Sequence, residues 1–110
     1  MLTKEQIQNF RDKPLEKFQQ GDVLIRLVDF TLPAEKVVVG DNVVVASSNP
    51  HTVSGGNLFK VDEALFCTVE KKATFSHREH EPIVVKPGTY FIEPKVEVDF
   101  LSDMVRPVQD

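Results

Sequence analysis

From residue 22 to about residue 100 the apolar residues come in short runs, broken by turn-forming residues at roughly 8- to 12-residue intervals. That rhythm constrains the chain most. The runs suit pleated, half-buried strands, and none sustains the 3.6-residue period of a helix. Residues 22–30 are apolar on nearly both faces, as a central strand is. Residues 36–39 and 42–46 flank Gly40-Asp41, which predicts a hairpin, and residues 57–61 and 64–69 flank Asp62-Glu63, which predicts another. Residues 73–75 and 83–85 bracket a polar stretch, and residues 89–92 follow Pro87-Gly88. The expected fold is all-β, a small antiparallel β-barrel or sandwich of at least six strands.

Residues 1–20 follow a different pattern and predict an N-terminal helical arm on a β domain spanning residues 21–110. Thr3 and Gln6 have the spacing of a capping box, and Ile7 and Phe10 share a helical face. Pro14 stops that helix, because it has no N–H and its ring clashes with the preceding turn. Residues 15–20 predict a second short helical piece that brings Leu15 and Phe18 together before Gly21. Residues 96–100 are expected to extend the last strand, with an irregular tail beyond.

Thirteen basic and 17 acidic side chains give a formal charge of −4, which disfavours free nucleic acid as a partner. No apolar run approaches the ~20 residues of a membrane span, and the first residues lack a signal-peptide core, so an intracellular, cytoplasmic protein is expected. The single cysteine, Cys67, lies in an apolar run and is expected to be a buried structural thiol.

Chemistry, if the chain has any, concentrates in His77-Arg78-Glu79-His80-Glu81. On a continuous strand His77 and His80 would point to opposite faces, so they meet only if Arg78-Glu79 forms a turn. His51, in the loop after residue 46, supplies a third imidazole. Converging, the three histidines with Glu81 or Glu97 as a carboxylate would suit zinc, iron or manganese. Two converging rings would instead make a hydrogen-bonded, pH-sensitive cluster, and the plain alternative is an exposed polar turn. No residue is marked as a catalytic nucleophile. Ser54-Gly55-Gly56-Asn57 suits a hairpin turn, with an anion-binding nest as the alternative.

The ordered motifs Gln20-Gly21-Asp22-Val23-Leu24-Ile25, His51-x-Val53-x-Gly55, His77-x-Glu79-His80-x-Pro82-Ile83 and Gly88-x-Tyr90-x-Ile92 resemble a family of small uncharacterised proteins met in phage genomes and bacteria. The resemblance covers about residues 20–110 and implies a compact β-rich fold with no established activity. It implies a ligand-binding role for His51, His77, His80 and Glu97. Asn49 stands where such proteins often carry another histidine, which removes one metal ligand.

The function expected on these grounds is that of a non-enzymatic accessory protein binding a partner protein or small ligand. A cupin-like metal-dependent enzyme and a self-associating virion component are the alternatives, the last implying a homo-oligomer.

Overall fold

The computed structural model describes residues 2–45, 49–94, 96–99 and 104–107, with Val45 and the last two stretches as backbone only. The helix α1 (Lys4–Asp12) opens with the expected capping box, in which Thr3 Oγ1 accepts from Gln6 N–H and Gln6 Oε1 accepts from Thr3 N–H. It ends before Pro14, as that ring requires. Among the described residues no helix is long and apolar enough to cross a membrane.

The rest is strand: β1 (Glu16–Gln20), β2 (Val23–Val28), β3 (Val37–Val38), β4 (Val43–Val45), β5 (His51–Val61), β6 (Ala64–His77), β7 (His80–Val85), β8 (Gly88–Pro94), β9 (Val96–Asp99) and β10 (Met104–Pro107). Eight of them form one antiparallel sheet in the order β1-β2-β8-β6-β5-β3, with β4 also on β5 and β7 also on β6. The strands β9 and β10 pair separately.

Three local expectations are corrected. Residues 16–20 are not helical. They pair along their whole length with β2, and burial alternates along them, ending at a buried Gln20. The alternation of Phe18 and Gln20 inward with Lys17 and Gln19 outward satisfies a strand, and a helix would have put Gln20 in solvent. The strands β3 and β4 do not make a hairpin with each other, because each pairs with β5 instead. Gly55 and Gly56 form neither a hairpin turn nor a nest. They lie in mid-strand at an irregularity where the pairing jumps from Ser54↔Thr74 to Gly56↔Val69.

That irregularity shapes the molecule. It lets β6 pair through residues 65–69 with β8 and through residues 73–77 with β7. Extra residues in one strand bend it and increase its twist. The two halves of the long β5–β6 hairpin therefore turn their inner faces toward one core. Val23, Ile25, Leu58, Cys67, Tyr90 and Ile92 from one half pack there with Val53, Phe75 and Val85 from the other. Gly55, at φ +84°, has Lys72 O where a Cβ would be 2.5 Å away, so only glycine fits the bend.

The expected barrel is not formed, because the sheet stays open. Where β1 approaches β7, the described contacts are side-chain bridges: Lys86 Nζ to Glu16 Oε1 at 2.6 Å, and the Gln20 amide to the carbonyls of Phe75 and Glu81. The outer face of β2, β6 and β8 is covered by α1. Phe10 meets Phe30, Phe66 and Phe91 with centroids 5.2–6.0 Å apart, which explains why β2 is buried on both faces.

Candidate functional site

The three histidines converge. Arg78-Glu79 is a two-residue turn, so His77 at the end of β6 and His80 at the start of β7 become cross-strand partners. Antiparallel pairing of Thr52 with Ser76 then draws His51, the first residue of β5, to the same corner. Ring centroids lie 4.2 Å apart for His51–His77, 4.5 Å for His77–His80 and 6.1 Å for His51–His80. His51 and His77 are buried, and His80 is partly buried.

Gln20 organises this corner. Its Nε2 donates to Phe75 O at 3.0 Å and to Glu81 O at 2.9 Å, which fixes the amide orientation and aims Oε1 at His51 Nδ1, 3.1 Å away. His51 Nδ1 is therefore the donor. Its Nε2 stands 3.3 Å from Asp22 Oδ1, with the carboxylate off the N–H line. His77 differs, because its Nδ1 accepts the Glu79 N–H at 3.0 Å and so carries no proton. Asn49 links to the same turn, accepting from Arg78 Nη1 at 3.4 Å and donating to Glu79 Oε1 at 3.5 Å.

This arrangement gives no support to a shared metal ion. Among the described residues no group of three or more His, Cys, Asp or Glu is placed to hold one. The rings lie against one another at interplanar angles of 35°, 40° and 13°. His51 Nδ1 and His77 Nδ1 are also engaged by protein groups. Glu81, the expected carboxylate ligand, has an exposed side chain and joins the corner through its carbonyl oxygen. Glu97 falls on β9, whose side chains lie outside the described residues.

A second feature is a concavity lined by none of these rings or their partners. A cleft of about 740 Å³ lies between α1 and the ends of β5, β6 and β8, with Leu2, Ile7, Leu65, Phe91 and Ile92 among its apolar walls. On its wall Glu93 accepts from Arg11 on the helix, through Nε at 3.0 Å and Nη2 at 2.9 Å, and from Arg26 Nη1 on β2 at 2.6 Å. The hydrogen bond to Glu93 raises the Arg11 pKa above its usual value, so the guanidinium is charged throughout the accessible range. Sequence reading missed this site, although one signal was present. Arg26 interrupts the apolar run Val23-Leu24-Ile25-Arg26-Leu27-Val28, and a cation in a central strand requires a buried partner.

Cys67 is the buried structural thiol expected, fully enclosed and with its pKa pushed up by burial to about 12. A nucleophilic thiol needs the opposite shift.

No curated protein and no solved structure matches this chain. A family model does match, over residues 19–95, which span β1 through β8 and hold Gln20, the three histidines, Arg26 and Glu93. The resemblance to an uncharacterised family therefore holds at that level, and the chain belongs to the family described as a domain of unknown function, DUF8820.

Proposed function

We propose that this chain is a non-enzymatic binding domain of a phage or bacterial accessory protein, and that the cleft under α1 is where its ligand sits. The observation that carries this reading is the cleft itself. Its volume of about 740 Å³ falls within the roughly 300–1,000 Å³ of ligand sites, and its lining combines apolar residues with charged ones of both signs. The histidine corner serves the fold in this reading. It ties the end of β1 to β5, β6 and β7 where the open sheet lacks a backbone ladder.

The test is a small-molecule fragment screen against isotope-labelled protein, read by amide and methyl shifts. Ligands should move resonances of Ile7, Leu65, Phe91 and Ile92, and Ala64→Phe, which fills the cleft from its rim, should abolish those movements. Shifts scattered over the surface, or unaffected by Ala64→Phe, would overturn the reading.

A further inference from the structure

Among the described residues, β9 and β10 form a two-stranded ribbon that pairs with no strand of the main sheet. Its register sets Val96 opposite Pro107, Glu97 opposite Arg106, Val98 opposite Val105 and Asp99 opposite Met104. Residues directly opposite share a face of an antiparallel pair, and the faces alternate along each strand. Val96, Val98, Val105 and Pro107 therefore make one face of the ribbon wholly apolar, whereas Glu97, Asp99 and Arg106 fall on the other. Two strands alone are marginal in water and gain stability by packing a hydrophobic face on another element. The ribbon's pattern calls for an apolar surface to cover it.

The cleft offers such a surface where the ribbon begins. Pro94 belongs to the cleft's lining, and β9 starts at Val96, just beyond it. So short a tether keeps the ribbon at a high effective concentration beside the cleft, on the order of millimolar. Charge leads to the same occupant. The lining sets Lys4, Arg11 and Lys60 against Asp62, Glu63 and Glu93, so it has no net charge with which to select an ion. An uncharged face matches it, and burying that face against Ile7, Leu65, Phe91 and Ile92 removes apolar surface from water on both sides.

We infer that the β9–β10 ribbon closes onto the cleft beside α1 with its Val96, Val98, Val105 and Pro107 face inward, so that any external ligand must displace it. The docked ribbon does not depend on such a ligand. It goes beyond the binding reading by making the chain's own segment the competitor.

The experiment uses the full chain with methyl-labelled Ile, Leu and Val and reads nuclear Overhauser contacts between ribbon and cleft. The methyls of Val98 and Val105 should show contacts to those of Ile7, Leu65 or Ile92. Val98→Asp, which puts a charge on the apolar face, should abolish them, and so should Ala64→Phe, which fills the cleft. Glu97→Lys, on the opposite face, should keep them. Fragments that bind the cleft should bind Val98→Asp about tenfold more tightly than the natural chain, the factor for a cleft occupied about nine-tenths of the time. Absence of ribbon-to-cleft contacts would overturn the inference, as would equal effects of Val98→Asp and Glu97→Lys. Contacts that arise only between differently labelled copies in a mixed sample would overturn it in favour of a second copy's ribbon. If no fragment binds either chain, the ligand reading alone fails, because the Overhauser contacts report the ribbon without one.

Discussion

Gln20 and His51, 31 residues apart in sequence, are joined by a buried hydrogen bond of 3.1 Å between Oε1 and Nδ1. Because the same amide also donates to Phe75 O and Glu81 O, one side chain from β1 satisfies groups on β5, β6 and β7. The corner is in effect the side-chain substitute for a missing strand ladder.

Gln20→Ala is expected to destabilise the protein by roughly 2–4 kcal/mol, since it strands buried polar groups whose desolvation is no longer offset. Urea unfolding measures this. His51→Ala should cost less in the Gln20→Ala background than in the natural chain, and strictly additive effects would show that the two residues do not act through one network.

Phe10→Ala should cost roughly 3–5 kcal/mol, the range for losing a buried aromatic ring. Phe10 touches Phe30, Phe66 and Phe91, so the loss should appear as exposure of the β2–β8–β6 face. Hydrogen exchange at β2 and β8 amides should accelerate. Unchanged protection there would mean that α1 does not contribute to the fold.

Stability should fall as pH rises from about 9 toward about 12, partly because of Cys67. The thiol ionises near 9.0 in the unfolded chain and, through burial, near about 12 in the folded one. Between those values the unfolded state has lost a proton that the folded state keeps, which favours unfolding. Below about 9 the thiol contributes no pH dependence. Tyr90, whose pKa is also raised chiefly by burial, acts in the same direction. Comparing urea midpoints at pH 8 and pH 10.5, Cys67→Ala should show a smaller drop than the natural chain. The native thiol should also resist iodoacetamide at pH 8 and react once urea unfolds the protein.

Gly55→Ala is expected to destabilise by at least roughly 1–3 kcal/mol, because it combines a positive φ with a backbone oxygen at 2.5 Å. Lys72→Ala, nearby on the surface, should be close to neutral. A thermal melt separates the two, and a neutral Gly55→Ala would show that the β5–β6 bend tolerates another shape.

Local patterns determined much of this protein. The capped helix that stops before Pro14, the doubly buried β2, the turn at Asp62-Glu63 and the enclosed Cys67 all follow from interactions within a few residues or from burial periodicity. The convergence of His51, His77 and His80 also followed once a turn between His77 and His80 was assumed. Tertiary structure alone decided the rest. Residues 16–20 became a strand because β2 offered a complementary edge, and pairing across the sheet outweighs weak local propensity. The strands β3 and β4 went to β5 because the long hairpin presents one continuous edge to both. The sheet stayed open because an irregularity opposite Gly55 sets its bend, and no local pattern encodes that angle. The Arg11–Glu93–Arg26 cluster joins residues up to 82 positions apart. Contacts at such separations depend on how helix and strands stack, and sequence periodicity specifies only which faces are apolar.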